Sequence, residues 1–233
     1  MFIVGIQKVT LIDYPGKIAC VLFTHGCNFR CLFCHNPELV LEEPNLDNVI
    51  EHKEILDFLD ARKGKLDGVV ITGGEPLLHK ELFSFIQKIK KKGFVVKLDT
   101  NGSCPKSLAK LLEAGLLDYV AMDVKAGLDQ YHKITSWEDD VEKIRKSIAL
   151  VMKKAPEYEF RSTLVKGLHS RKDVLEIAKL VRGARKFTIQ NFVSSETISK
   201  DLGKKNEFKK TELEKFSKIL EKYVKEVDIR NSY

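Results

Sequence analysis

Apolar, β-branched runs recur along the chain at 18–24 (IACVLFT), 68–72 (GVVIT), 94–100 (FVVKLDT), 118–124 (DYVAMDV), 158–165 (YEFRSTLV) and 186–192 (KFTIQNF). Runs of this length and composition, bounded by polar turn residues, read as strands. Between them the apolar positions fall three and four residues apart, the period of an amphipathic helix. Residues 46–62 carry Leu46, Val49, Ile50, Ile55, Leu56 and Leu59 in this way, and residues 79–92 carry Leu82, Phe83, Phe85, Ile86 and Ile89 before stopping at Gly93. The same spacing predicts helices at 105–115, 138–154, 171–182 and 211–226, the last opened by a capping box of Thr211 and Glu214. Residues 194–210, rich in Ser, Lys and Gly, read as a loop.

Strands alternating with helices imply βαβ units and a parallel sheet. Six such units predict an α/β fold, a partial (βα)6 TIM-like barrel with parallel strands, because a full eight-unit barrel normally needs ~250 residues. No low-complexity linker or repeat interrupts the alternation, so residues 1–233 are read as one domain.

Composition narrows the function classes. The 233 residues include 43% hydrophobic ones, enough for one sizeable core, and Lys+Arg exceed Asp+Glu to give a net charge of +7. The excess is interspersed with glutamates on helical stretches such as LEKFSKILEKYVKE, the pattern of a solvated face, and no basic run is interleaved with aromatics. That argues against nucleic acid as a partner. Asp13 interrupts the N-terminal segment before a signal-like run develops, and no stretch approaches the ~20 apolar residues of a membrane span. A cytoplasmic protein with reduced thiols is the expectation, so its five cysteines point to metal ligation or thiol chemistry rather than to a disulfide framework.

In parallel α/β folds the chemistry sits at the C-terminal ends of the strands. Those ends read THGCNFRCLFCHNP, TGGEPLL, LDTNGSC, MDVKAG, STLVKG and IQNF. Polar, titratable and glycine-rich positions gather there while the strand bodies stay apolar, which favours an enzyme over an inert scaffold. Cys27, Cys31 and Cys34 lie within eight residues, spaced C-x3-C-x2-C. Soft thiolates in a tight loop suit an iron–sulfur cluster or zinc. A structural zinc site would take a fourth ligand, for which His25 and His35 are at hand. The spacing leaves both open; the polar TGGEP loop one βα unit later favours a cluster with one iron free for a ligand.

The C-x3-C-x2-C loop with Phe33 before its last cysteine, followed by Gly73-Gly74-Glu75, resembles the radical S-adenosylmethionine (SAM) superfamily. The continuation CHNPE, with IDYPGK upstream and LDTNG and MDVK downstream, resembles its glycyl-radical-enzyme activating proteins, closest to those that activate anaerobic ribonucleoside-triphosphate reductase. The resemblance covers residues 8–165. It implies a [4Fe–4S] cluster on Cys27, Cys31 and Cys34, whose fourth iron chelates SAM. It implies Phe33 near the adenine, Gly73 and Gly74 beside the methionine part, and Glu75 accepting from its ammonium. Asp99, Thr100, Asp123 and Lys125 match positions around the SAM ribose and carboxylate or a nearby cation, and Arg161 is a candidate carboxylate clamp. The pyruvate formate-lyase branch carries a histidine at the last strand end, where this chain has Gln190 and Asn191, which favours the reductase-activating branch. The implied chemistry is reductive cleavage of SAM and removal of a hydrogen atom from a glycine Cα of a partner, the anaerobic ribonucleotide reductase large subunit. A flavodoxin- or ferredoxin-type protein would donate the electron.

Other residues have plainer readings. Cys20 lies mid-strand and reads as a small core hydrophobe, Cys104 as a loop thiol, and Trp137 as a packing anchor. His35 reads as a loop residue behind the cysteines. Two other functions share parts of the pattern: a short radical SAM enzyme acting on a small molecule, which the CHNPE continuation disfavours, and a non-enzymatic zinc or electron-carrier module.

Overall fold

The six predicted strands form, and two more flank them. The computed structural model describes residues 1–194 and 196–231, the last of these by its backbone alone. The strands are β1 (Ile3–Thr10), β2 (Ala19–Thr24), β3 (Gly68–Gly73), β4 (Val95–Thr100), β5 (Tyr119–Asp123), β6 (Glu157–Leu164), β7 (Lys186–Asn191) and β8 (Glu226–Asn231). They make one sheet in sequence order, with β1 antiparallel to β2 and every later pair parallel. The crossovers run through α1 (Glu38–Leu41), α2 (His52–Ala61), α3 (Leu82–Lys91), α4 (Pro105–Glu113), α5 (Tyr131–Thr135), α6 (Glu142–Lys154), α7 (Arg171–Leu180) and α8 (Lys210–Leu220).

Both faces of β2–β5 are covered, which is why their sequences run apolar with little alternation. Cys20, Leu22, Val69, Ile71, Val96, Leu98, Val120 and Met122 point outward into the main core under the helices. The alternate positions Ala19, Val21, Val70, Tyr119 and Ala121 point inward, join Tyr14, and form a small apolar plug at the N-terminal ends of the strands. Above the plug the same inward parity carries Thr72, Lys97, Asp99, Asp123, Glu159, Arg161, Thr188 and Arg230, so the hollow of the sheet turns polar towards its C-terminal rim.

Several expectations need correction. The helix expected over 46–62 is shorter: a single 3₁₀ turn at Leu46–Asn48 precedes α2. The last helix begins at Lys210, and its cap is the Glu212 carboxylate accepting from Lys209 N–H (2.9 Å), two residues ahead of the expected Thr211–Glu214 box. That helix ends at Leu220 rather than 226, because the chain from Glu226 pairs beside β7 as β8. β1 and β8 escaped the periodicity reading because they are the sheet's edges: β1 is half exposed around Gly5, Gln7 and Lys8, and β8 alternates Val227 and Ile229 with Asp228 and Arg230 over only six residues. Among the described residues, no helix is long and apolar enough to cross a membrane.

Candidate active site

The loop after β2 is held by backbone bonds at both ends before any side chain acts. Gly26 N–H donates to Leu39 O (2.8 Å), Arg30 N–H to Thr135 O (2.7 Å) and Leu32 N–H to Ile134 O (3.3 Å), so α1 and α5 brace the cysteine loop from two sides. Phe29 is wedged against Trp137, with ring centroids 5.0 Å apart, which bears out the anchoring role of that tryptophan. Cys34 N–H donates to Cys31 O (2.9 Å), closing a turn between these two cysteines.

The loop after β3 docks on that loop through its glycines. Gly74 N–H donates to Thr24 O and Glu75 N–H to Gly26 O, both at 2.8 Å. A Cβ at Gly73 would stand 2.4 Å from Thr24 O, and one at Gly74 2.0 Å from Gly26 O; Gly73 also holds φ +108°. The two glycines are thus required by backbone meeting backbone, a constraint no local motif shows. Gly74→Ala is expected to cost about 1–3 kcal/mol or more, since the clash is with backbone that must shift as a whole. Urea unfolding of the cluster-free protein measures it, and an unchanged midpoint would contradict this packing.

One cavity of about 430 Å³ opens at the C-terminal rim. It brings together Cys27, Cys31, Cys34, Phe33, Gly73, Gly74, Asp99, Thr100, Asp123, Lys125 and Arg161, every expected site residue except Glu75. Glu75 is 0% exposed. Its Oε1 accepts from Leu77 N–H (3.0 Å) and Thr100 Oγ1 (2.8 Å), and its Oε2 from Asn101 N–H (2.6 Å). Burial pushes this carboxyl up to about 7 against the pull of its three donors. Glu75 thereby ties the loop after β3 to the end of β4.

A ladder of alternating charge lines the same cavity. Lys97 Nζ binds Asp99 Oδ1, Asp99 Oδ2 accepts from Arg161 (3.1 Å), Arg161 Nε donates to Asp123 Oδ1 (2.9 Å), and Lys125 Nζ donates to Asp123 Oδ2 (2.9 Å). These groups are removed from water enough to depend on one another: Lys97 is 2% and Arg161 13% exposed. Burial disfavours charge on Asp99, Asp123, Lys125 and Arg161, yet Arg161 and Lys97 hold Asp99 below the usual carboxylate range, and Arg161 and Lys125 hold Asp123 well below it. Asp123 in turn raises Lys125 against the desolvation of its ammonium. Lys125 Nζ stands 5.8 Å from the Phe33 ring centroid, linking ladder and cysteine loop.

The sequence reading missed Lys97, Asn101, Thr163 and Arg230, all of which line the cavity. For three of them the signal was a polar residue two positions from another on a strand: Lys97 with Asp99, Thr163 with Arg161, Arg230 with Asp228; Asn101 lies just past β4 and carried no such signal. Such i, i+2 pairs share one face of a strand and mark the polar hollow. Arg230 forks onto Glu159 (3.1 and 3.3 Å), a carboxylate that also accepts from Thr188 Oγ1 (2.8 Å). Gln190, near the end of β7, which β8 follows as the actual last strand, lines the cavity, whereas Asn191 is turned away to clip Phe208 through its main chain.

The donor set fits a cluster. Three thiols line one wall, no fourth cysteine joins them, and Cys27 Sγ already accepts from Phe29 N–H at 3.3 Å as a ligating sulfur does. Burial pushes the Cys27 thiol up to about 11 and Cys31 up to about 12, so uncompensated thiolates are costly there and a cationic partner would stabilise them. Among the described residues no three His, Cys, Asp or Glu side chains gather as a single ion would need. His35 is engaged elsewhere, with Nε2 at 3.2 Å from Val193 O and its ring stacked on Phe192.

A family model described as the radical SAM superfamily matches residues 21–181. A protein of Methanocaldococcus jannaschii, named provisionally as a glycyl-radical enzyme activating enzyme, is 37% identical over 97% of this chain and 94% of its own. The pyruvate formate-lyase-activating enzyme of Staphylococcus aureus is 34% identical over 43% of this chain and 41% of its own. Among solved structures, Streptococcus suis SuiB bound to S-adenosylmethionine superposes with a TM-score of 0.68 at 14% identity, over 91% of this chain and 52% of its own.

Proposed function

The chain belongs to the radical SAM superfamily, and we propose that it activates a glycyl-radical enzyme, an anaerobic ribonucleoside-triphosphate reductase, by removing a hydrogen atom from one glycine of that partner. The family uses a [4Fe–4S] cluster and SAM, which together supply a one-electron reductive cleavage and, through it, the abstraction of hydrogen. The observation that carries the activating role is the near full-length relationship to a protein named for it.

Each residue has a task in this reading. Cys27, Cys31 and Cys34 would hold three irons, and Phe33, Gly73 and Gly74 border the neighbouring space for SAM. Asp99, Thr100, Asp123, Lys125 and Arg161 present fixed charges and a hydroxyl to its polar groups. Because the ladder pins each side chain through its neighbour, these charges need not reorganise when the cofactor enters. Glu75 acts one step back, by setting Thr100 and Asn101 at the end of β4. Gln190, at hydrogen-bonding distance from Thr163 Oγ1 (3.4 Å), stands where the pyruvate formate-lyase branch has a histidine, which supports the reductase as partner. The turn between β1 and β2 carries apolar residues out in solvent, Leu11 at 72% and Ile12 at 58% exposed, with Ile12 itself lining the cavity. Such an exposed apolar turn beside the cavity suits the approach of a polypeptide loop from a larger protein.

Incubated anaerobically with SAM, reductant and the cognate reductase, the protein is expected to leave a glycyl radical on the reductase. Electron paramagnetic resonance would show it as a signal split by the remaining α-hydrogen, and deuterium placed at that Cα would appear in 5′-deoxyadenosine. SAM cleavage with a diamagnetic reductase and hydrogen taken from a metabolite would overturn this reading in favour of a small-molecule enzyme.

A further inference from the structure

Between α4 and α6 lies a groove of about 790 Å³ whose apolar lining includes Ala109, Ala149 and Leu150. Its walls carry Lys106, Lys143, Lys146, Lys153 and Lys154 against a single carboxylate, Asp140. Lys143 and Lys154 are paired to Asp139 and Glu113. Lys106, Lys146 and Lys153 are exposed and make no ion pair among the described residues. An apolar concavity rimmed by unneutralised cations is complementary to an acidic protein face and repels a basic one. The other large groove, beside α7, mixes Asp129, Asp173 and Glu176 with its basic residues and lacks this single sign.

One end of the lysine groove is made by Ser103 and Cys104 at the start of α4, and from there a chain of hydrogen-bonding side chains runs to the cysteine loop. Cys104 Sγ lies 3.7 Å from Ser103 Oγ, Asn28 Nδ2 donates to Ser103 Oγ (3.0 Å), and Asn101 Nδ2 donates to both Asn28 Oδ1 (3.0 Å) and Cys27 Sγ (3.7 Å). A second bond, Ser103 N–H to Asn101 Oδ1 (2.9 Å), fixes the last link. The groove is thus joined by short contacts, without an intervening gap, to the sulfur of the first cluster cysteine.

Resting on the radical SAM chemistry of the site, we propose that this groove docks a small acidic protein bearing a one-electron redox group and that its electron enters through Cys104, Ser103 and Asn28 towards Cys27. One electron leaves the reduced carrier, which is oxidised by one, and the cluster is reduced by one; no covalent bond changes and no proton need move. The carrier is named by its charge and its chemistry: negative to match the lysines, low in potential to reduce the site. The groove shares no lining residue with the cavity that Ile12 borders, which leaves room for carrier and glycyl partner to bind together.

The test uses an acidic flavodoxin and the cluster-loaded enzyme. Charge reversal of the three free lysines (Lys106→Glu, Lys146→Glu, Lys153→Glu) is expected to raise the flavodoxin Kd by about tenfold or more at low salt, and wild-type binding should weaken as salt rises. Stopped-flow reduction of the cluster by reduced flavodoxin should slow in proportion, while reduction by dithionite keeps its rate. The control reverses Lys215, Lys218 and Lys222 at the exposed side and end of α8, and should leave both measurements near wild type. Absent wild-type binding, an unchanged Kd, an equal loss in the control, or loss of binding to the glycyl partner alone would each overturn the proposal. None of the flavodoxin measurements requires the glycyl partner, so their failure leaves the activating role standing, and failure of the radical assay leaves the groove untouched.

Discussion

Replacing any one of Cys27, Cys31 or Cys34 by alanine is expected to abolish the cluster, whereas Cys20→Ala and Cys104→Ala retain it. Anaerobically reconstituted wild-type protein should carry about four irons and four sulfides per chain. The three cysteines share one cavity wall with no further cysteine on it, so no other thiol is placed to substitute. Cys20 is fully buried on the outward face of β2, among the core side chains beneath the helices, and Cys104 sits at the far end of the Ser103–Asn28 chain. Iron and sulfide analysis with the visible absorption of the reconstituted variants decides the matter. Equal loss from all five substitutions, or retention in any of the first three, would refute the assignment.

Arg161→Leu is expected to produce the largest loss of stability that does not touch the cysteines. Arg161 bridges Asp99 and Asp123, and its removal leaves two carboxylates facing each other with only Lys97 and Lys125 at the outer ends. Breaking a buried ion pair from one side costs on the order of 3–5 kcal/mol, and the two remaining lysines put the expectation near the lower figure. The dependence on pH has a definite sign. Both aspartates titrate below their ordinary value in the folded protein, so the stability they contribute is fully present above about pH 4 and is lost as pH falls further. The gap between wild type and variant should therefore hold steady from pH 5 to 8 and narrow below pH 4. Denaturant unfolding of the cluster-free proteins measures both; a gap that is absent, or that widens in acid, would show that the ladder does not stabilise the fold.

These two expectations differ in where they could be read. The thiols are close in the chain, and three soft ligands within eight residues announce metal ligation without any knowledge of folding. The ladder joins residues from β4, β5 and β6, up to 62 positions apart, and exists only because parallel pairing sets Asp123 beside Arg161 in register. Before the register is known, Lys97 is a lysine in an apolar strand, and Arg161 is a candidate clamp for a ligand with no protein partner assigned to it. Glu75 shows the same limit from the other side. Its neighbours in sequence suggest a group facing a ligand, but the end of β4 folds over it and takes both its oxygens.

By itself the sequence determined the order and kind of the six central elements, since burial on both faces demands unbroken apolar strands and helical burial demands a 3.6-residue period. It also determined the cysteine loop, and the motifs it carries, through the family they resemble, pointed to eleven of the residues that line the cavity. Tertiary structure alone decided the two edge strands, whose partial exposure dilutes their pattern. It decided the need for Gly73 and Gly74, which arises where two loops separated by nearly fifty residues touch backbone to backbone. It decided as well which charges are partners, because Coulomb energy depends on distance in space and the chain encodes that distance only through the pairing of its strands.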